Sequence, residues 1–183
     1  MPEPKIIERR ETTLSAWSSL VARTLTLPGK TKPEEYHSLR QADYVSVLAI
    51  TEDGWIPLVR QYRPAMEKFT FELPGGLRDG EEPPEEAALR EVREETGLTP
   101  LAAPHMLGCL APDTGRLENR LWGFLLKVGD KASPDWKPEP GIERLMISRS
   151  ELREWILAGE FDHALHIALI GLALIQGKFG WGK

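Results

Sequence analysis

The sequence predicts a mixed α/β fold, a mixed sheet with a few helices packed on it, preceded by an N-terminal β extension. Two observations carry that expectation: short runs rich in β-branched and aromatic residues bounded by turn residues, and three segments with helical signals between and after them. No internal repeat or low-complexity tract interrupts the pattern, which favours one layered domain over a solenoid.

Residues 1 to about 40 mix short apolar runs (SAWSSLVARTLTL) with a Pro/Gly/Lys turn at LPGKTKP, so strands and a hairpin are expected there rather than a helix. This gives an extension over 1–40 and a main domain over 41–183. DYVSVLAIT (Asp43 to Thr51) and WIPLVRQ (Trp55 to Gln61) are β-rich and joined by Glu52-Asp53-Gly54, a hairpin signal. FTFEL (Phe69 to Leu73) is a further strand running into Pro74-Gly75-Gly76, where the backbone can turn sharply or approach a ligand closely. Pro83-Pro84 suits a first helical turn, and EEAALREVREET continues with strong helix formers until Gly97, a natural residue just past a helix end. HMLGCLA and ENRLWGFLLKV read as strands around a loop from Pro112 to Leu117, and DKASPDWKPEPGIE as a proline-rich loop before the strand RLMIS. Ser148 with Glu151 forms a capping-box pattern for a helix ending near Gly159, and Phe161 to Gln176 reads as a last, buried helix.

With 183 residues the chain is long enough for a sizeable core, and 41% apolar with 28% charged residues excludes a disordered or fibrous protein. Its one cysteine, Cys109, permits no internal disulfide and no thiolate zinc cage, which fits the reducing cytoplasm; it reads as a small core hydrophobe. The start MPEPKIIERRETT lacks the apolar stretch of a signal peptide, and the apolar run from Ala164 to Ile175 is shorter than the ~18 residues that span a bilayer, so no membrane partner is expected. The net charge of −5 is concentrated. From Arg78 to Glu95 eight acids face three bases, which alone accounts for the whole excess and disfavours nucleic acid as a partner.

That acidic segment is where chemistry is expected. At about 100° per residue, Ala88, Leu89, Val92 and Thr96 share one helical arc that can pack on the sheet, and Glu91, Glu94 and Glu95 share the next. Carboxylates three and four residues apart repel, and Arg90 can pair with Glu86 and Glu94 but cannot neutralise the cluster. Hard divalent cations take such oxygen ligands, and the glycine turn can add a main-chain carbonyl.

The segment resembles the Nudix hydrolases, whose signature is G-x5-E-x7-R-E-U-x-E-E-x-G-U with U a bulky aliphatic residue. Gly76, Glu82 and Arg90-Glu91-Val92-Arg93-Glu94-Glu95-Thr96-Gly97-Leu98 match all nine specified positions, over 23 of the 183 residues. The resemblance implies a Nudix α/β/α sandwich. It implies that Glu91, Glu94, Glu95 and the carbonyl of Gly75 bind Mg²⁺, with Mn²⁺ able to substitute, while Arg90 and Glu82 hold the carboxylates in place. It also implies hydrolysis of a diphosphate that joins a nucleoside to another group. Catalytic candidates are Glu95 and Glu94, together with Glu139 and Glu143 as general bases from the downstream loop.

LVRQYRPAMEKFTFELPGG is similar to the approach to the box in the ADP-ribose and nucleoside-diphosphate-sugar pyrophosphatase branch. Arg60 and Arg63 carry guanidinium groups suited to phosphate or ribose hydroxyls, Arg116 is a further substrate-binding candidate beside the expected site, and by that resemblance Trp17 stacks on the nucleobase. Asp113-Thr114-Gly115-Arg116 departs from the Ser-Pro-Gly form of that loop. The branch also implies a homodimer whose N-terminal strands cross to the partner. The expected reaction is hydrolysis of a nucleoside-diphosphate sugar to a nucleoside monophosphate and a sugar phosphate. The alternatives are hydrolysis of a modified nucleoside triphosphate and a non-catalytic nucleotide-sugar-binding module. His163 and His166, at i and i+3 on the last helix, read as packing or surface residues rather than ligands.

Overall fold

The computed structural model describes residues 2–182, which group into two compact units. The first, up to Asp43 plus Ala111–Arg120, is an antiparallel meander of β1 (Lys5–Ser15), β2 (Ser18–Thr26) and β3 (Glu34–Gln41) in that order. The expected turn between β2 and β3 forms at Leu27–Lys30, with Gly29 at φ +80°. In this unit Glu118 gathers Arg23 (2.6 Å), Ser38 (2.6 Å) and Arg9 (3.4 Å), and backbone bonds between Leu39 and both Arg116 and Glu118 tie the 111–120 loop to β3.

The second unit is layered around β4 (Tyr44–Thr51) and β9 (Leu121–Ala132), which pair in parallel; β7 (Leu98–Pro100) and β8 (His105–Leu110) pair antiparallel with β9. A second sheet has the order β10 (Ile142–Ile147), β5 (Ile56–Arg63), β6 (Lys68–Glu72). Side chains alternate across β4 and β9. Val45, Val47, Ala49, Phe124, Leu126 and Val128 face Ala87, Ala88 and Val92 of α1 (Pro84–Thr96). Leu48 and Leu121 pack instead with Leu152 of α2 (Arg149–Ala158) and with Leu169, Ile170 and Ala173 of α3 (Ala164–Ile175). Both faces of this sheet are therefore covered, which is why β4 reads as an unbroken apolar run rather than an alternating one.

Local signals set the helix ends. Ser148 accepts from Glu151 N–H and Glu151 accepts from Ser148 N–H, the full capping box, and Gly97 and Gly159 end α1 and α2 in the left-handed region. Three expectations are corrected. The Asp53-Gly54 turn forms, with Thr51 N–H donating to Trp55 O at 2.9 Å, but β4 and β5 do not continue as a hairpin: burial of both faces of β4 draws it to β9, while β5 joins β6 and β10. Cys109 is exposed, because β8 turns that position outward. The last helix is buried along one side only, and Ile175 stays exposed. No helix among the described residues is long and apolar enough to cross a membrane.

Candidate active site

The turn from β6 into α1 builds one wall of a cavity of about 350 Å³. A Cβ on Gly75 would lie 2.2 Å from the Val45 carbonyl oxygen, and one on Gly76 would lie 2.5 Å from Glu91 Oε1. Glycine is needed at the first because backbone passes over it and at the second because a carboxylate does. Val45 N–H donates to the Gly76 carbonyl and Val47 N–H to that of Pro74, so alternation along the extended chain leaves the Gly75 carbonyl out of this pairing. Gly75 N–H in turn donates to Glu95 Oε2 at 2.8 Å.

The two inward carboxylates are held against an electrostatic gradient. Burial pushes Glu95 up to about 8, and the charges of Glu91 and Glu139 add to that, against the Gly75 N–H and Arg63. Burial also raises Glu91, with Glu94 and Glu139 adding and Arg90 opposing. Arg90 organises the outer side: it donates twice to Glu82 (3.0 and 2.9 Å), to Glu91 (2.8 Å), to Glu94 (3.0 Å) and to the Leu77 carbonyl (3.0 Å). It pairs with Glu94 as its spacing predicts, but with Glu82 and Glu91 rather than Glu86. Two buried carboxylates on the cavity wall, beside a main-chain carbonyl that accepts no hydrogen bond among the described residues, form an oxygen donor set that suits a hard divalent cation.

Further round the cavity, the polar residues come from β5, β6 and α3. Thr70 and Glu72 point inward and are buried, while Phe69 is half exposed and Phe71 packs on Trp155. Arg63 donates to Glu72 twice, Nε to Oε1 at 2.7 Å and Nη2 to Oε2 at 2.6 Å, and Thr70 adds a third bond. Burial alone would raise Glu72, but these bonds hold it down at about 2. His163 and His166 line the same cavity, their rings stacked 3.7 Å apart. Burial lowers both, His166 to about 3, so both imidazoles are neutral. An oxygen of Glu72 and a nitrogen of each histidine lie within 4.8 Å of one another, so a carboxylate distant in sequence joins them from β6. An acidic residue between Phe71 and Leu73, just before the glycine turn, was the available signal for Glu72.

The structure thus brings together Gly75, Glu91, Glu95 and Arg63, and separates others. Glu94 is exposed on the outer side of α1, off the cavity wall. Arg60 and Arg63 are three apart on β5 and project from opposite faces. Arg60 stacks over Phe69 at 4.1 Å and pairs with Glu143 at 3.0 Å across the β5–β10 ladder, so both point away from the cavity. Exposed Glu139 lies close enough for its charge to act on Glu91 and Glu95. In the first unit, Trp17 sits 73% exposed at the tip of the β1–β2 turn, and Arg116 lines a separate polar pocket with Arg23 and Ser38.

Residues 40–166 match the NUDIX domain family, well over half of the chain. The chain belongs to the Nudix family. This Nudix chain is 36% identical over 98 residues to an ADP-ribose pyrophosphatase of Bacillus subtilis, covering 53% of the chain and 52% of that protein. It is 32% identical over 128 residues to a mouse ADP-sugar pyrophosphatase, covering 64% and 59%. It thus spans between half and three-fifths of the length of these curated relatives. A crystal structure described as an ADP compounds hydrolase superposes with a TM-score of 0.77 over 98% of both chains at 17% identity, which shows a shared fold.

Proposed function

We propose that this Nudix protein is a Mg²⁺-dependent pyrophosphatase that hydrolyses ADP-ribose or a related nucleoside-diphosphate sugar to a nucleoside monophosphate and a sugar phosphate. The observation that carries this is the convergence of buried Glu91 and Glu95 with Arg63 in one cavity beside the Gly75-Gly76 turn. Similarity to ADP-ribose and ADP-sugar pyrophosphatases supports the substrate class.

Glu91, Glu95 and the Gly75 carbonyl would hold the cation, with Glu94 joining from the rim after exchanging Arg90 for it. When bound, the ion neutralises charge on the non-bridging phosphate oxygens and makes a coordinated water easier to deprotonate. Arg63 keeps N–H donors beyond those used on Glu72 and binds a diphosphate oxygen. Glu139 accepts the proton of the attacking water; its electrostatic reach to Glu91 and Glu95 supports that role, whereas Glu143 is engaged by Arg60. Water oxygen bonds to one phosphorus and the bridging oxygen leaves with the other. Arg90 and Glu82 position Glu91 and contact no substrate.

Trp17 is assigned to stacking on the nucleobase and Arg116 to substrate contact, within a cytoplasmic homodimer. The half-exposed Ile6, Ile7 and Leu14 on β1 support a second copy as the partner of that strand. The test is incubation with Mg²⁺ and a panel of nucleotide sugars, ADP-ribose, dinucleotides and triphosphates, followed by product analysis. Sugar phosphate plus monophosphate is the expected result; pyrophosphate released from triphosphates, with no turnover of sugars, would overturn it.

A further inference from the structure

The stacked histidines of the cavity have a chemistry that the hydrolytic machinery does not use. Leu73 N–H donates to His166 Nδ1 at 3.1 Å, and His166 N–H donates to His163 Nδ1 at 3.4 Å, the cap of α3. A ring nitrogen that accepts a hydrogen bond carries no proton, so in each neutral imidazole the proton sits on Nε2. Among the described residues neither Nε2 has a hydrogen-bond partner, although His166 is only 4% exposed and borders the cavity. With each Nδ1 already accepting a bond, the Nε2–H is the ring donor left for a molecule that enters the cavity these histidines line.

Three kinds of occupant can be compared. A metal ion needs a lone pair from each ring, and both remaining nitrogens carry hydrogen instead, so the Glu72, His163 and His166 trio is closed to a cation in this arrangement. A phosphate among the trio would sit against the ionised Glu72 carboxylate with only neutral imidazoles beside it, because Arg63 Nε and Nη2 bond Glu72 and the remaining Arg63 donors are assigned to the diphosphate. A hydroxyl group both donates and accepts. Its oxygen takes an Nε2–H, and its hydrogen can go to Glu72 Oε2, which among the described residues accepts only from Arg63 and has room for another donor.

We propose that the Nε2–H groups of His163 and His166, with Glu72 Oε2, bind hydroxyls of the sugar that the diphosphate links to the nucleoside, and so select polyol-bearing substrates. This rests on the pyrophosphatase reading above. One ring nitrogen of each histidine and one Glu72 oxygen lie within 4.8 Å of one another, a separation that a single hydroxyl oxygen can bridge.

The test compares ADP-ribose with the β-methyl ester of ADP, which has the same diphosphate and no second sugar. His166→Asn keeps an acceptor for Leu73 N–H while deleting the Nε2–H, and His163→Asn keeps the helix cap while doing the same. Each is expected to raise KM for ADP-ribose about tenfold with kcat nearly unchanged, and to leave the methyl ester's constants as they were. Unaltered preference for ADP-ribose in both variants, or an equal loss on both substrates, would overturn the assignment while the pyrophosphatase reading stood. A Co²⁺ absorption band abolished by His166→Asn would refute the tautomers. Wild-type protein that hydrolyses neither compound would refute the pyrophosphatase reading itself.

Discussion

Replacing Glu95 with Gln should stabilise the metal-free protein while abolishing its metal-dependent activity. The carboxyl ionises near its ordinary value of 4.5 in the unfolded chain and near 8 in the folded one, because burial outweighs the Gly75 N–H bond. The folded state therefore binds more protons than the unfolded state between those values, and stability falls as pH rises through that window. Relative to a neutral side chain, the ionisable Glu95 costs about 1 kcal/mol at pH 5, about 3 at pH 7 and about 5 at pH 9. Glutamine keeps an oxygen for Gly75 N–H and removes that cost. At this chain length, 3 kcal/mol corresponds to a rise in Tm of roughly 10 °C. Urea unfolding of both proteins in EDTA at pH 5, 7 and 9 measures the trend. Excess Mg²⁺ should reverse the order, since only wild type gains binding free energy from the ion. A difference that is flat in pH, or a variant less stable than wild type in EDTA, would refute the electrostatic account. Wild-type turnover by the variant in Mg²⁺ would refute Glu95 as a ligand.

Gly76→Ala should leave the fold largely intact, since the new methyl meets only the end of the Glu91 side chain, yet lower Mg²⁺ affinity at least tenfold by calorimetry; Gly75→Ala, which meets Val45 backbone, should unfold at markedly lower urea. Arg90→Ala frees Glu82, Glu91 and Glu94 at once and is expected to cost about 2 kcal/mol in urea titration as well as most of the activity. Trp17→Ala should raise KM for adenine substrates more than it lowers kcat; an unchanged KM would remove the stacking role. Ser148→Ala should cost about 1 kcal/mol through the lost cap and leave kcat/KM unaltered.

Local signals for helix ends held, although of the two one-turn partners open to Arg90 only Glu94 is taken, Glu82 displacing Glu86. The ends of α1 and α2 follow from Gly97, Ser148 with Glu151, and Gly159, because capping is settled by neighbours in the chain. The pairing of Arg90 with Glu94 likewise follows from one helical turn. The Asp53-Gly54 turn forms too, but which strand β4 pairs with depends on burying both its faces under helices that come later in the chain.

The amino-acid sequence by itself determined the nature of the chemistry: a spaced set of glutamates, an arginine and two glycines can be recognised without coordinates because its spacing is that of one turn and one helix. Only the tertiary structure decided which members face the cavity. A helical wheel put Glu91, Glu94 and Glu95 together, whereas packing of α1 on β4 buries the first and third and leaves Glu94 in solvent. Alternation along β6 was legible, but not its sense, and the fold turns Thr70 and Glu72 inward and leaves Phe69 half exposed because Arg63 and two distant histidines wait on that side. A one-dimensional period gives the repeat of side chains, and the face that becomes the inside is set by what the rest of the chain brings to it.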